Sequence, residues 1–316
     1  MPLLVIAGPT AAGKTEAALC VAEEVSGEIV SADSMQIYKY MDIGTAKPTP
    51  RERSRAPIHL VDFVDPREGF TVVDFQQRAE AHIQDIAHRG RLPILCGGTG
   101  LYIKSIIQHM DFPPELSDEE KAIRKRLHRR AEEVGSAALH VELADIDPEA
   151  AAKIEPQDTR RIIRALEVIA STGQLFSAQQ SVDDSPDVVY NLRQYVVTRP
   201  RELLYEGIET RVDRMLEAGW LAEVKELREM GLTREDQSMK AIGYRHLLAY
   251  LDGKADWDST IEDIKRDTRR FAKRQLTWFR SGDYEWLEWG TPAEFENAVE
   301  VLKRTGHQLR DRALGE

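Results

Sequence analysis

The sequence predicts an α/β protein, a P-loop core with a doubly wound parallel sheet and a mostly helical insertion. Alternating strands and helices are typical of βαβ units with parallel strands. From residue 1 to about residue 108, short apolar runs alternate in this way with helical stretches. A glycine-rich loop at residues 8–15 joins the first apolar run to the first helical stretch. A charged, helical segment without strand-like runs then follows, up to about residue 180.

The elements of the predicted sheet follow one another closely. The predicted strands cover residues 3–7, 28–31, 59–61 and 92–96. The predicted helices between them cover residues 14–25 and 72–88. In an open parallel sheet, ligands bind beyond the carboxyl ends of the strands. The loops that follow the strands are therefore the predicted site.

The chain is expected to return to the sheet after the helical interruption. Pro113 and Pro114 mark the start of the interruption, and a strand predicted at residues 194–198 follows it. Amphipathic helices are expected over residues 201–281, and a helical surface tail over residues 290–316. The predicted catalytic core comprises residues 1–110 and 191–316, and the predicted insertion comprises residues 111–190.

Composition and length indicate a soluble globular protein. The chain has 316 residues, of which 42% are hydrophobic, and this length allows one large domain or two. No apolar run reaches roughly 18 residues and no secretory signal precedes the first strand, so we expect a cytoplasmic protein without a membrane partner. Cys20 and Cys96 lack the paired spacing of a metal site and are predicted to be core residues.

The charge of the chain is unevenly distributed. The formal net charge of −11 alone argues against a nucleic-acid partner. However, residues 121–130 and 265–280 are densely basic, and a polyanion requires a basic patch rather than a basic protein. Charge alone favours the simpler interpretation, in which these residues form solvated helix faces paired with nearby acids.

The loop at residues 8–15 has the spacing of a phosphate-binding loop. Its backbone N–H groups and the start of the following helix converge on an anion. Lys14 can then reach the outer phosphate, and the Thr15 hydroxyl can bind Mg²⁺. Such a loop alone fits an ATPase, a small-molecule kinase, a GTPase or an enzyme with a diphosphate substrate.

Two further loops are expected at the same edge of the sheet. Asp33 follows the second strand and could bind Mg²⁺ through water, act as a general base, or simply cap a turn. Residues 97–100 contribute three glycines and the Thr99 hydroxyl after the fourth strand, and glycine allows the backbone to approach a ligand closely.

Taken together, these segments resemble the tRNA dimethylallyltransferases, also called tRNA isopentenyltransferases, in their bacterial form. The resemblance spans nearly the whole chain in the order expected of the family. It rests on residues 8–15, 33–38, 41–48, 59–62, 97–102, 160–168, 241–245 and 268–280. Gln157 and Ile58 are mild departures from the pattern, and no cysteine follows Cys96 to form the zinc finger of eukaryotic relatives.

The resemblance implies transfer of a dimethylallyl group from dimethylallyl diphosphate to the exocyclic amine of the adenosine just 3′ of the anticodon. The P-loop would then hold a prenyl diphosphate rather than a nucleotide, with Mg²⁺ on Thr15 as the cofactor. The diphosphate-binding residues would be Gly8, Pro9, Thr10, Ala11, Ala12, Gly13, Lys14 and Thr15. Asp33 would take the proton from the amine, Thr99 would lie near the diphosphate and the base, and Arg211, rather than Arg214, would contact the diphosphate.

The resemblance also implies a tRNA anticodon stem-loop as the partner of a chain that we expect to be a monomer. The implied tRNA contacts near the catalytic loops are Asp33, Ser34, Met35, Gln36 and Thr99. Those in the insertion are Lys121, Gln157, Asp158, Thr159, Arg160 and Arg161. Those near the C-terminal helices are Lys240, Ala241, Ile242, Gly243, Tyr244 and Arg245.

Three alternatives remain open from the sequence. A P-loop kinase for a small molecule would keep the fold and Mg²⁺, with Asp33 activating a hydroxyl, but would give the basic insertion no role. An enzyme that prenylates a free adenine nucleotide would not need the insertion either. An RNA-binding module with a regulatory P-loop would carry out no chemistry.

Overall fold

The computed structural model of the chain describes residues 1–110, 112, 117–179 and 190–314. The chain divides into two compact units. The first comprises Met1–Met110 and Val188–Glu316, and the second comprises Asp111–Asp187. The boundary expected at Pro113 and Pro114 lies outside the described residues.

A single parallel sheet forms the centre of the first unit. The strands that the structure describes are β1 (Pro2–Ala7), β2 (Glu28–Ala32), β3 (Ile58–His59), β4 (Pro93–Gly97), β5 (Asn191–Thr198) and β6 (Glu285–Glu288). Their order across the sheet is β3-β2-β4-β1-β5-β6, and every neighbouring pair is parallel. The chain leaves β1 toward β2 on one side and later adds β5 on the other, so the order reverses beside β1, where a ligand crevice is expected.

The sheet is covered on both faces, which is why its strands are apolar throughout. Along β1, Leu3 and Val5 pack into one hydrophobic cluster, whereas Leu4 and Ile6 pack into another. Successive side chains of a strand point to opposite faces, so these two clusters lie on opposite sides of the sheet. A strand buried on both faces reads as a continuous apolar run. The predicted α/β, doubly wound fold class is confirmed.

Helices make up most of the remaining chain. Those of the first unit are α1 (Lys14–Val25), α2 (Pro50–Arg55), α3 (Val72–His88), α4 (Gly100–Ile107), α10 (Arg201–Glu217), α11 (Trp220–Glu229), α12 (Tyr244–Leu251), α13 (Trp257–Arg280) and α14 (Pro292–Leu314), with a 3₁₀ turn at Ser238–Lys240. Those of the second unit are α5 (Asp118–Val134), α6 (Ser136–Ile146), α7 (Pro148–Lys153), α8 (Thr159–Thr172) and α9 (Phe176–Gln179). No helix in the described ranges has both the length and the apolar character needed to cross a membrane.

The second unit has a hydrophobic core of its own, contributed by α5, α6, α7 and α8. Leu127, Leu139 and Ile162 are among its buried residues. Beside it, the buried carboxylate of Glu167 accepts two hydrogen bonds from Arg124, at 2.8 and 3.0 Å, and one from Arg164 at 2.9 Å. Part of the basic character of residues 121–130 is therefore neutralised within the unit.

Two expectations for the C-terminal region and the cysteines need correction. The predicted tail does form a helix, α14, but it is not a surface appendage, because Val299, Leu302 and Leu309 are buried against α1 and the sheet. Strand β6 was not predicted. Cys96 is buried as expected, whereas Cys20 is half-buried and donates to the Glu16 carboxylate.

The buried carboxylate of Glu28, the first residue of β2, stabilises the amino-terminal end of that strand. It accepts hydrogen bonds from Arg89 at 2.9 Å and Arg91 at 2.8 Å, and lies 2.7 Å from His59 Nε2. The bonds from Arg89, and then that from His59, lower the pKa of Glu28 to about 2. A carboxyl whose folded pKa lies below its usual 4.5 stabilises the fold above that pH and loses its effect as the pH falls toward 2.

We therefore expect Glu28→Gln to lower the free energy of unfolding at pH 7 by about 1–2 kcal/mol, a modest value because both arginines are more than 40% exposed. The difference from the wild type should shrink at pH 3, where the unfolded wild-type carboxyl is already protonated. Urea unfolding at the two pH values measures this difference. An equal loss at both would contradict the role of the Glu28 charge.

Candidate active site

The carboxyl ends of three neighbouring strands bring the predicted catalytic loops together. The loop after β1 is the P-loop, the loop after β2 contains Asp33, and the loop after β4 contains Thr99. Because β2, β4 and β1 are adjacent in the sheet, the three loops meet at one edge. Thr10, Asp33 and Thr99 all line a cavity of about 350 Å³, whose other wall comes from α10 and α13.

The backbone of the P-loop requires left-handed conformations at three positions. Gly8, Ala11 and Gly13 have φ values of 151°, 62° and 85°. A Cβ at Gly8 would overlap the Val197 carbonyl oxygen of β5, so only glycine fits there. Gly13 is the N-cap of α1, so the positive end of that helix faces the loop. Alternating backbone conformations of this kind form an anion-binding concavity.

Lys14 is positioned inside the loop. Its Nζ donates to the Pro9 carbonyl at 2.6 Å, and the side chain lines the cavity. Burial is the main cause that lowers the pKa of Lys14 to about 8, with a smaller contribution in the same direction from the Arg211 guanidinium. The amine remains mostly protonated at pH 7. An anion in the cavity would compete for the Lys14 ammonium group with the neutral Pro9 carbonyl.

Arg211 is a second cation of the cavity. The side chain comes from α10, is partly buried, and has a lowered pKa because burial disfavours its charge. Within the described residues, no carboxylate forms an ion pair with it. Arg214, the alternative from the sequence, is exposed and lines a second, open depression beside Ala11 instead. Arg211 borders both spaces, which favours it as the anion contact.

Asp33 uses one oxygen to shape its loop and leaves the other available. Its Oδ1 accepts hydrogen bonds from the backbone N–H of Met35 at 2.9 Å and of Gln36 at 3.3 Å. Over the described residues, Oδ2 makes no hydrogen bond, and Asp33 lines the cavity. The turn-capping interpretation and the chemical one are therefore compatible, because different oxygens serve them.

Thr99 links the glycine turn to the Asp33 loop. Its Oγ1 accepts from the Ser34 N–H at 3.0 Å and lies 3.3 Å from the Ser34 hydroxyl, while its own N–H donates to the Ala32 carbonyl at 3.1 Å. A Cβ at Gly97 would overlap that carbonyl, so the close approach of the two loops requires glycine there.

Several supporting residues escaped the sequence analysis. Glu223 of α11 is buried and accepts hydrogen bonds from the backbone N–H groups of Asp42 and Ile43, both at 2.7 Å. The Tyr244 hydroxyl donates to the same carboxylate at 2.6 Å. Trp220, the first residue of α11, lines the cavity and lies so close to Gly44 that a Cβ there would overlap the indole. In the sequence, the one signal for this packing is Gly44, the glycine within residues 41–48.

Comparisons with known proteins bear on this site. The family model described as IPP transferase matches residues 36–282. A tRNA dimethylallyltransferase of Carboxydothermus hydrogenoformans is 48% identical over 305 residues, which cover 96% of this chain and 97% of that protein. The chain belongs to the IPP transferase family.

Solved structures of family members agree with this assignment. A full-length tRNA isopentenylpyrophosphate transferase from Bacillus halodurans has a TM-score of 0.73 and 40% identity, with 99% of this chain and 98% of that one covered. A eukaryotic dimethylallyltransferase, solved while acting on tRNA, has a TM-score of 0.80 and 28% identity, with 95% and 77% covered. The P-loop α/β fold is thus that of the IPP transferases.

Within this IPP transferase fold, the residues expected to contact tRNA fall into distinct environments. Those that line the cavity are Asp33, Ser34, Met35, Gln36, Thr99, Lys240, Ala241 and Ile242. Gly243 and Tyr244 do not, since Tyr244 is fully buried and Gly243 packs against the Trp220 ring. Arg245 forms an ion pair with Asp267 at 2.7 Å. Tyr244 therefore supports the site from the core rather than from its surface.

The predicted tRNA contacts of the second unit are mostly exposed. Lys121, Gln157, Arg160 and Arg161 are at the surface. Thr159 is partly buried at the start of α8, and the Asp158 side chain caps that helix by accepting from the Arg161 N–H at 3.2 Å. Asp158 thus has a structural role that the sequence analysis did not assign.

Proposed function

We propose that the chain transfers a dimethylallyl group from dimethylallyl diphosphate to the exocyclic amine of the adenosine 3′ of the anticodon in tRNA. The observation that carries the proposal is the composition of the cavity. Lys14, Thr15 and Arg211 provide a site for a diphosphate, and Asp33 provides a carboxylate in the same space. The names of the relatives, tRNA dimethylallyltransferases, support tRNA as the acceptor.

The apolar part of the cavity fits a prenyl group. Ile208, Val212 and Met215 of α10 line it together with the cationic groups. A short branched hydrocarbon gains free energy by leaving water for such a wall, roughly 25 cal/mol for each Å² buried. A diphosphate with one small apolar substituent therefore complements both halves of the cavity.

The proposed reaction exchanges one bond at the allylic carbon. The carbon–oxygen bond of the donor breaks, and its electron pair leaves with pyrophosphate. The lone pair of the adenosine exocyclic amine forms the new carbon–nitrogen bond, and the Asp33 carboxylate takes the proton that the nitrogen loses. Lys14 and Arg211 neutralise the charge that grows on the leaving oxygen.

Mg²⁺ is the proposed cofactor. The Thr15 hydroxyl lines the cavity and offers an oxygen ligand of the kind that this hard cation prefers, and the Asp33 carboxylate could bind the ion through a water while it remains free to take a proton. Mg²⁺ usually keeps several waters and binds through one or two carboxylates plus substrate phosphates, so no larger carboxylate cluster is required. When bound, the ion would add positive charge beside the leaving pyrophosphate.

The acceptor must present its adenosine outside the base stack. A base in a stacked loop does not reach an enclosed cavity, and unstacking costs on the order of a few kcal/mol. Exposed cations that bind RNA phosphates can supply that free energy. We expect the chain to act as a monomer in the cytoplasm, where its tRNA substrate is found.

Charge reversal on α5 tests the role of the second unit in tRNA binding. Lys125 and Arg126 are exposed and have no carboxylate partner among the described residues, whereas Arg130 pairs with Glu142. We expect Lys125→Glu/Arg126→Glu to raise the KM for tRNA by about 10-fold and to change the KM for the diphosphate by less than about 2-fold.

Steady-state kinetics with each substrate varied in turn measures both constants for the α5 variant. The control is Lys225→Glu/Arg304→Glu, which makes the same charge change on exposed residues of the first unit outside the cavity. Equal effects of the α5 variant on both KM values, or an equal effect of the control on tRNA, would argue against this surface as the RNA contact.

The position of the modified base tests the proposed function itself. Purified protein is incubated with an unmodified tRNA, Mg²⁺ and labelled dimethylallyl diphosphate, and the nuclease fragments of the tRNA are then analysed by mass spectrometry. The expected product carries the prenyl group on the adenosine 3′ of the anticodon. A transcript with guanosine at that position should remain unmodified. Label at other adenosines, or on free adenine nucleotides, would contradict the proposal.

A further inference from the structure

The P-loop is held by two side chains from the far end of the sequence. The Gln275 amide of α13 accepts from the Thr10 N–H at 2.9 Å and donates to the Gly98 carbonyl at 2.9 Å. The Trp289 indole Nε1 donates to the Ala12 carbonyl at 3.0 Å. These partners are 265 and 277 residues from the loop positions that they contact. The loop geometry is thus fixed from outside the strand–loop–helix motif that contains it.

The hydrogen bond from Trp289 determines the orientation of one peptide group. In a planar trans peptide, the C=O and the following N–H point in opposite directions. Because the Ala12 carbonyl points to the indole, the Gly13 N–H points away from it. Among the described residues, that N–H donates to no acceptor. The Gly13 N–H is therefore without a protein partner, and Gly13 lines the second depression, which shares Arg211 with the cavity.

Trp289 is itself well fixed. Its backbone N–H donates to the Thr198 carbonyl at 3.1 Å, just beyond the pairing of β5 with β6. The Phe295 ring lies 4.8 Å away between centroids, and the Arg199 guanidinium covers the indole at 4.4 Å. The indole also packs against Gly13, where an added Cβ would lie 3.1 Å from the ring. An indole held on these sides keeps its N–H directed at one acceptor.

The loop beside Trp289 has a backbone conformation that its residues do not favour locally. Ala11 and Gly13, on either side of Ala12, both have left-handed φ values of 62° and 85°. An alanine in this region is disfavoured by contact between its Cβ and the backbone. Backbone conformations of this kind persist only where the surrounding structure holds them.

We infer that Trp289 is a positioning residue for the diphosphate, which acts by fixing the Ala12–Gly13 peptide so that the Gly13 N–H faces the phosphate group. The inference rests on the proposed function, because it presumes that the loop binds a diphosphate. It assigns a role to a residue outside the range that the family model matches, residues 36–282. The segment after α13 then serves the site rather than only extending the core.

Pyrophosphate binding to the full chain without tRNA tests this inference directly. The test variant is Trp289→Phe, which keeps an aromatic ring against Arg199 and Phe295 but lacks the N–H donor. We expect its Kd for pyrophosphate, measured by titration calorimetry with Mg²⁺, to rise by about 5- to 10-fold. The KM for dimethylallyl diphosphate should rise in parallel and the KM for tRNA should stay unchanged.

The matched control is Trp286→Phe, the same change at an exposed tryptophan of β6. It should bind pyrophosphate as the wild type does. A second variant replaces Trp289 with benzothienylalanine, whose sulfur takes the place of the indole N–H with little change in ring size. It should bind as weakly as Trp289→Phe, and it keeps the test valid should Trp289→Phe fail to fold.

The outcomes separate this inference from the proposed function. A Trp289→Phe or benzothienylalanine variant with a lowered Tm but wild-type pyrophosphate affinity shows a purely structural role and overturns the inference. A wild-type chain that binds pyrophosphate but never prenylates tRNA overturns the proposed function and leaves the inference standing if the variants bind weakly. A wild-type chain that does not bind pyrophosphate contradicts both.

Discussion

Asp33→Asn should lower kcat for prenyl transfer by about 10²- to 10⁴-fold, the range of a general base that takes a proton in the transition state. The amine of adenine is a weak nucleophile because its lone pair is delocalised into the ring, and it becomes acidic as it attacks carbon. Among the described residues that line the cavity, Asp33 is the one with a carboxylate side chain. Its removal therefore leaves no side-chain base of this kind beside the acceptor.

Asparagine is the informative replacement at this position. The amide oxygen can still accept from the Met35 and Gln36 N–H groups, as Oδ1 does in the wild type, so the loop should keep its shape. Thermal unfolding and tRNA binding should match the wild type. Asp65→Asn, outside the cavity, is the control and should retain full activity. A kcat for Asp33→Asn within about 3-fold of the wild type would exclude Asp33 as the base, since the effect of a general base exceeds that range.

The second large effect is expected at Lys14. Lys14→Met keeps the length of the side chain but removes the charge, so we expect kcat/KM for dimethylallyl diphosphate to fall by about 10²- to 10³-fold. The loss is large because the amine is partly buried beside the loop, so water screens its charge only in part. Steady-state rates with the diphosphate varied at saturating tRNA measure this change.

The control for Lys14 is Lys39→Met, an exposed lysine that does not line the cavity. It should leave kcat/KM unchanged. The KM for tRNA should be unaffected in both variants, because the proposed reaction has the amine contact the leaving group and not the acceptor. A Lys14→Met variant that loses affinity for tRNA rather than for the diphosphate would place the lysine in a different role.

The sheet and its central helices could be predicted because their signals are local. Helices α1 and α3 span the residues expected from the sequence, since each has an apolar face at helical spacing and clear ends. Strand β6 was missed because Glu285, Trp286 and Glu288 are exposed and the segment lacks an apolar run. It pairs at the edge of the sheet, where backbone hydrogen bonds to β5 hold it rather than burial.

The meeting of the candidate-site loops was predictable for a topological reason. Motifs that follow neighbouring parallel strands must meet at one edge, and the P-loop, Asp33 and Thr99 do so. The supporting contacts were not predictable from one sequence, because Gln275 and Trp289 act on the P-loop across more than 260 residues. No local pattern distinguishes them from other residues of their elements.

Burial and pairing also separate functional side chains from structural ones in ways that a motif does not. Tyr244 lies in a segment that resembles a tRNA-binding motif, yet its hydroxyl is bonded to Glu223 in the core. Arg124 belongs to a basic run, yet the Glu167 carboxylate holds it. The residues of such motifs that remain exposed and unpaired, such as Lys125 and Arg126, are the better candidates for contact with RNA.

We propose that this P-loop holds a prenyl diphosphate and releases pyrophosphate, rather than splitting a nucleoside triphosphate. One incubation tests it: purified protein, unmodified tRNA, Mg²⁺ and dimethylallyl diphosphate labelled in the prenyl carbons, with and without ATP. We expect label in the tRNA and one pyrophosphate released per prenyl group transferred, whether or not ATP is present. Label that appears only with ATP, or ATP hydrolysis without any label in the tRNA, would contradict it.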